Sequence, residues 1–365
     1  MHLYKALDKQ TLVILTPAFP ANESPEETVW LPAQQALVRA LNRQYPDVEV
    51  VLLSFEFPLQ RKEYLWHGNT VIPFGGGNRG RGHNWRVWVQ VFNTLRRLQR
   101  TRKVTGLLSF WWAECAFVGS LFARTHGLPH YCWLCGQDAR AGNRFVKRLR
   151  PRPGELVAMS DFLQRSFAQH YGIRPAHLIP DAIDTSLFAP FTGPRDIDLM
   201  AAGGLSPLKQ FDTFVELVQQ VKAARGAVHA VLCGGGLEEE KLRRQSVSLG
   251  LTSGLQMTGY LPQAEVLALM QRTKVFLHTS SYEGFGNVCI EALYAGAHVI
   301  SFTQPMDAAI PHWHIVKTKA EMLEKALALL NDNGNDYTPV LPFDMNDTAR
   351  SFMQLFESSS TTSQC

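Results

Sequence analysis

Two carboxylates, Glu283 and Glu291, stand eight residues apart in SSYEGFGNVCIEALYAGAHVIS (280–301), on either side of a Gly-Phe-Gly turn. Paired acids can do acid–base work, but the surrounding pattern suggests another use. The wider segment KVFLHTSSYEGFGNVCIEALYAGAHVISF reads as strand, glycine-containing loop, helix and strand, one βαβ unit whose loop lies at the carboxyl end of its first strand. A helix starting near Gly286 or Asn287 offers its first N–H groups and the positive end of its dipole to a phosphate, and Gly286 lets a ligand approach the backbone. Glu291 then lies about one turn inside the helix and Glu283 in the loop before it. Carboxylates repel phosphate but accept hydrogen bonds from sugar hydroxyls, so two of them flanking an anion seat fit a nucleotide-sugar. A solvated loop Glu and an ordinary helix Glu fit the same spacing, and spacing alone leaves both readings open.

Hydrophobic periodicity gives the elements that hold this turn in place. Strand-like runs are expected at 11–15, 49–54, 106–110, 130–134 and 155–158. Between them lie helices at 28–45 (Val29, Ala33, Ala36, Leu37 and Leu41 on one face) and 84–100 (Trp85, Trp88, Val89, Phe92 and Leu95). PDAIDTSLFAPFTGP, rich in Pro and turn formers, reads as a linker, after which strands are expected at 198–202, 227–233, 255–258, 275–279 and 298–302. A chain of 365 residues exceeds the size at which one core keeps growing. The expected architecture is therefore α/β, with two doubly wound Rossmann-like domains at 1–181 and 182–343. A closing helix and tail at 344–365, carrying Ala349, Phe352, Met353, Leu355 and Phe356, is expected to pack back on the first domain.

SYEGFGNVCIEALYAGAHVIS is similar to the E-x7-E signature of glycosyltransferase family 4, whose GT-B fold has two facing Rossmann-like domains. AAGGLSPLKQFDTF (201–214) resembles that family's phosphate-binding segment, VLCGGG (231–236) its next strand and turn, and TGYLPQAEVLALM (258–270) its base-contacting loop and helix. VAMSDFLQRSF and LIPDAIDTSLF resemble its passage into the interdomain linker, so the likeness runs in order over residues 105–302. The resemblance implies a retaining glycosyltransferase that moves a sugar from a nucleotide-diphosphate donor, UDP on frequency, to a glycan, lipid-linked or polysaccharide-precursor acceptor. It implies Glu291 on the donor ribose, Glu283 on a hydroxyl of the transferred sugar, and the backbone amides of Phe285, Gly286, Asn287 and Val288 at the sugar or distal phosphate. Gly204 and Gly235 are implied among the donor-binding residues, and Tyr260 and Leu261 at the base. Lys209 would neutralise the departing diphosphate, a role that charge development in the transition state also favours on physical grounds. Asp138, in a passage resembling the family's H-G-x-D with Cys135 in place of His, is implied to touch the acceptor or the sugar. The chain departs from the pattern at Gly204, where an Arg commonly partners the Lys. It departs again in TPAFPANESPEE, which lacks a Gly-Gly pair, and in TQPMDAAIPHWH, which lacks Gly-Gly-Pro-Glu. A GT-B sugar-nucleotide epimerase and a catalytically silent nucleotide-sugar-binding module are the alternatives.

Other features narrow the class. With 45% apolar and 19% charged residues and a net charge of +4, the composition is that of a globular protein. Six cysteines without regular spacing fit a reducing cytosol, and no run is long enough to span a membrane or laid out as a secretory signal. The expectation is a cytoplasmic protein, at most peripheral at the inner face of the membrane. Cys132 and Cys135 form a CxxC without the further ligands that a metal site needs; no metal and no tightly bound cofactor are expected. FGGGNRGRGHNW (74–85) lacks a GK[ST] ending and reads as a mobile acceptor-side loop. Residues 79–152 hold fifteen Lys or Arg against two acids, Glu114 and Asp138. With Trp85, Trp88 and Phe92 on one helix, this stretch suits an anionic membrane surface or a charged acceptor; no nucleic-acid recognition motif is present. A glycine-rich dinucleotide fingerprint after the first strand is also missing, which disfavours a dehydrogenase.

Overall fold

The apolar, β-branched run TLVILT makes a strand that must be buried on both faces, and it lies in the middle of the first sheet. In the computed structural model, which describes residues 9–362, the chain divides into two units, Met1–Asp181 with Met345–Cys365, and Ala182–Asp344. Residues 1–8 and 363–365, assigned from sequence to the first domain and the tail, lie outside the described residues.

In the first unit the strands are β1 (Gln10–Ala18), β2 (Glu49–Phe57), β3 (Tyr64–Trp66), β4 (Asn69–Pro73), β5 (Lys103–Phe110), β6 (His130–Leu134), β7 (Leu156–Ala158) and β8 (His177–Leu178). They form one sheet in the order β3-β4-β2-β1-β5-β6-β7-β8, parallel except for β3 against β4. Val13 of β1 pairs with Val51 on one side and Leu107 on the other. The order turns around between β1 and β5, the kind of point at which open α/β sheets bind ligands.

The helices of this unit are α1 (Pro32–Gln44), α2 (Arg81–Thr101), α3 (Glu114–His126), α4 (Arg144–Arg148) and α5 (Asp161–Tyr171). Two sequence expectations are corrected here. α1 starts at Pro32 and not at 28, because Leu31 takes a left-handed conformation (φ 51°) and Pro32 has no N–H to give to a preceding turn. The buried stripe of α2 is Val87, Val91, Leu95 and Leu98, whereas Trp85 is 64% exposed and Val89 is exposed too. Aliphatic side chains at i, i+4, i+8 and i+11 hold one face over the whole helix. Trp88 and Phe92 flank that face, against the rings of Phe117 (5.3 Å) and Phe122 (5.1 Å).

The closing helix, Met345–Thr362, belongs to this unit and buries Met345, Ala349, Phe352, Met353 and Phe356. Its rings meet β6 edge-on, Phe352 on Trp133 at 5.1 Å and Phe356 on Tyr131 at 5.0 Å. Gly106 of β5 makes room for it: a Cβ there would lie 2.4 Å from the Phe356 ring.

The second unit holds β9 (Ile197–Ala202), β10 (Ala230–Cys233), β11 (Leu255–Gly259), β12 (Thr273–His278), β13 (His298–Ser301) and β14 (Trp313–Ile315), with α6 (Phe211–Arg225), α7 (Glu239–Ser248), α8 (Gln263–Gln271), α9 (Asn287–Tyr294) and α10 (Lys319–Asn331). The sheet is parallel in the order β11-β10-β9-β12-β13-β14, the doubly wound order, with its switch point between β9 and β12. One face of the sheet packs on Phe214, Leu217, Val218 and Val221 of α6 and on Met322, Ala326 and Leu330 of α10. This apolar layer fixes the strand ends from which the loops of the switch point emerge.

Candidate functional site

Two loops leave the carboxyl ends of β9 and β12, on either side of the switch point. After β9 the chain runs through Gly203 and Gly204 into a 3-10 turn, Pro207–Lys209, and Gln210 (φ 49°) then starts α6. After β12 it runs through Thr279 to Gly286, whose left-handed conformation (φ 93°) opens α9 at Asn287. The loops are laced together: Thr279 Oγ1 donates to Lys209 O (2.8 Å) and Ser281 N–H to Leu208 O (3.1 Å). This lacing brings Lys209 Nζ onto Glu283 Oε2 as an ion pair, with His278 Nε2 at 3.5 Å from the same oxygen. Burial pushes the Glu283 carboxyl up, but His278 and the Lys209 ammonium more than reverse this and hold it at about 2.

The backbone floor beside Lys209 depends on glycine. A Cβ at Gly234 would lie 1.9 Å from Gly203 O, and one at Gly236 would lie 2.6 Å from Leu205 O. The two loops thus approach backbone to backbone, and Leu205 N–H donates to Gly235 O at 2.9 Å. Gly204 is exposed, and a Cβ there would meet nothing within 4 Å, so its lack of a side chain reflects the sequence and not crowding.

Not every residue singled out from sequence lies in this arrangement in the way expected. Glu283 was expected to face a sugar and Lys209 a diphosphate; here each is the other's partner. Glu291 lies in the second turn of α9 and accepts from Gln263 Nε2 at 2.8 Å. The Phe285 side chain is core, edge-on to Phe343 at 5.8 Å, so only its backbone can serve a ligand. Asn287 and Val288 open α9, and their N–H groups precede the helix's own hydrogen bonding. Tyr260 is 67% exposed, and a Cβ at Gly235 would lie 2.7 Å from its ring. Leu261 instead lines a separate cavity of about 520 Å3, with Thr258, Glu265 and Arg272 among its walls. Asp138 lies in the first unit and is buried; its oxygens accept from the N–H groups of Trp112 and Gly136, both at 2.9 Å. Burial lifts its carboxyl to about 6 against those bonds, so it organises its loop first of all.

One further expectation changes. FGGGNRGRGHNW is tied down and not loose: Gly76 N–H donates to Phe55 O, Gly77 N–H to Glu56 O and Asn78 N–H to Glu56 Oε2. Cys132 and Cys135 are unbridged thiols that burial pushes well up, away from thiolate reactivity. Among the described residues no group of three or more His, Cys, Asp or Glu is placed to hold a metal ion, and no helix is long and apolar enough to cross a membrane. His278 and Gln263 were missed from sequence. His278 ends the strand that feeds the Glu283 loop, a position that could have flagged it, whereas nothing local marks Gln263.

Residues 188–338, nearly the whole second unit, match the family described as glycosyl transferases group 1. This match covers 151 of the 365 residues. Among similar proteins is the phosphatidylinositol N-acetylglucosaminyltransferase gpi3 subunit of Schizosaccharomyces pombe, 28% identical over 196 residues, which are 50% of this chain and 42% of that protein. Another is the GDP-mannose-dependent monoacylated alpha-(1-6)-phosphatidylinositol monomannoside mannosyltransferase of Corynebacterium glutamicum, 27% identical over 215 residues, 52% of this chain and 54% of that protein. The chain thus spans about half the length of these curated relatives. HepE of Anabaena, solved in complex with UDP and glucose, superposes with a TM-score of 0.64 at 17% identity, over 97% of this chain and 99% of that one. The chain accordingly has the GT-B fold of paired parallel α/β units.

Proposed function

We propose that the protein is a retaining glycosyltransferase that uses a nucleotide-diphosphate sugar, with UDP as the first candidate base. The observation that carries this reading is the pairing of Lys209 with Glu283 beside the amino end of α9, made by two loops that flank the switch point of a doubly wound sheet. The α9 N–H groups would receive the distal phosphate and Lys209 the charge that develops as the diphosphate leaves. Glu283, released from Lys209 when the diphosphate arrives, would accept from a sugar hydroxyl, and Glu291 from the ribose. A carboxylate at pH 7 keeps acceptor capacity on both oxygens, and the low pKa of Glu283 keeps it in that state. No protein nucleophile and no metal are invoked; the acceptor would be a glycan or a lipid-linked or polysaccharide-precursor chain.

The test is turnover of UDP- and GDP-sugars with and without added acceptors, with the anomeric configuration of the product read by NMR. Release of nucleotide diphosphate that depends on an acceptor supports transfer. Conversion of the donor without an acceptor would make the protein an epimerase, and binding without turnover a silent module. Glu291→Ala should weaken nucleotide affinity by about 10- to 100-fold, the worth of a hydrogen bond to a charged group; unchanged affinity in calorimetry would remove Glu291 from the ribose.

A peripheral membrane site is proposed on α2, where Arg86, Arg96, Arg97 and Arg100 are exposed beside Trp85 and Val89. This face should co-sediment with anionic vesicles at low salt and release as salt is raised. Equal recovery with neutral vesicles counts against it.

A further inference from the structure

A cavity of about 460 Å3 opens in the first unit, a size that suits a small ligand. Its walls include Pro17 of β1, Phe55 and Glu56 of β2, Phe110 of β5, and the loops after β5 and β6. It therefore lies at that sheet's own switch point, between β1 and β5.

Its lining is acidic, although most of it comes from the basic stretch 79–152. Glu56, Glu114 and Asp138 contribute carboxylates, against the single guanidinium of Arg144, which is half exposed and lies 3.5 Å from Glu114. Asp138 is already satisfied by backbone N–H groups. Glu114 opens α3 and accepts from Asn84 Nδ2 (2.7 Å) and Trp88 Nε1 (3.4 Å). Glu56 differs from both. It is 6% exposed; Oε2 accepts from Asn78 N–H at 2.6 Å, while Oε1 is buried without a hydrogen-bond partner. Burial raises its carboxyl, the Asn78 N–H opposes the rise, and the Glu114 charge adds to it. Trp112, also in the lining, has an Nε1 that is likewise buried and unpartnered.

The rest of the wall is aromatic, from Phe110, Trp111, Trp112 and Phe145. Trp111 has a φ of 61°, a costly conformation for a bulky residue. Two hydrogen bonds hold it there, Trp111 N–H to Trp133 O (3.0 Å) and Ala113 N–H to Trp111 O (2.8 Å). An indole face suits both the C–H face of a sugar ring and a cation. A buried carboxylate oxygen beside a second carboxylate calls for a positive donor: a hydroxyl would satisfy its hydrogen bond but leave the repulsion, whereas an ammonium offsets both.

We propose that this cavity binds an amino sugar or amino-substituted cyclitol through its protonated amine, with Glu56 and Glu114 as the anionic partners and the Trp111 indole on the ring. That this ligand is the acceptor rests on the transferase reading above; that the cavity selects an amine does not.

The experiment titrates the full chain, without donor, with D-glucosamine, N-acetyl-D-glucosamine and D-glucose at pH 7, by calorimetry and ligand-observed NMR. Glucosamine should bind at least about tenfold more tightly than the other two, a difference of about 1.4 kcal/mol. The preference should vanish in Glu56→Gln, and Trp111→Ala should weaken all three. Glu56→Gln keeps the side-chain size and the acceptor for Asn78; if it fails to fold, Glu114→Gln carries the same expectation. Equal affinities, binding of none, or a preference that survives these substitutions would overturn the proposal. Acceptor-dependent turnover of a nucleotide-sugar together with equal affinities would overturn this inference alone and leave the transferase reading standing.

Discussion

Lys209→Ala is expected to lower the rate of sugar transfer about 100- to 1,000-fold, the cost of removing one preorganised charge from a developing anion. Affinity for the nucleotide diphosphate should fall by much less, about tenfold at most, because the contacts proposed for the α9 N–H groups and the base remain. The asymmetry is the informative part. A charge that acts only on the departing diphosphate lowers kcat and leaves ground-state binding largely intact, whereas an anchor lowers both alike. With Gly204 exposed and bearing no cation, the proposed seat relies on Lys209 for fixed positive charge on that loop, so the loss should be large. Steady-state kinetics and calorimetry on the same variant separate the outcomes: equal losses in rate and affinity would reduce Lys209 to an anchor.

The same ion pair predicts an acid-labile contribution to stability. A carboxyl whose folded value is about 2, against an ordinary 4.5, stabilises the fold above pH 4.5, and this contribution is lost as pH falls towards 2. The difference corresponds to about 3 kcal/mol, with Glu283 mostly buried beside Lys209 and His278. Urea unfolding of wild type and Glu283→Gln between pH 7 and pH 2.5 should therefore converge: the wild-type advantage is full at neutral pH and shrinks below about pH 4.5. In a Lys209→Ala background the advantage should be smaller and its loss complete at higher pH, because one of the charges holding the carboxyl down is gone. Curves that stay parallel over the whole range would mean that the pair contributes nothing to folding.

How much of this was legible in the sequence depended on how local each signal was. The start of α9 was readable in GFGN, because a glycine before a polar residue can be left-handed and cap the helix after it. Strands such as β1 and β12 declared themselves as continuous apolar runs. The hairpin of β3 and β4 did not, since three- and five-residue strands around His67-Gly68 give too short a pattern to count. Nor did the face of α2: three aromatic residues stand at helical spacing, but the sheet accepts the slimmer Val87, Val91, Leu95 and Leu98 stripe. The ion pair between Lys209 and Glu283 joins positions 74 apart in sequence, and only the lacing of two loops over one sheet edge brings them together. Glu56 was less legible still. It sits in an apolar strand, FEF, where a single charge looks like a solvent-facing alternation, yet the loop at 74–80 folds over it.

A diphosphate seat built by Lys209 and the amino end of α9 is tested most simply by a thermal-shift titration of wild type and Lys209→Ala with UDP, GDP and ADP and with the corresponding nucleosides. At least one diphosphate should raise the wild-type Tm, by the equivalent of about 2.7 kcal/mol at a hundredfold excess over its Kd. Its nucleoside should shift Tm far less, and the shift should shrink in Lys209→Ala. If no diphosphate stabilises the protein more than its nucleoside does, the seat is not there.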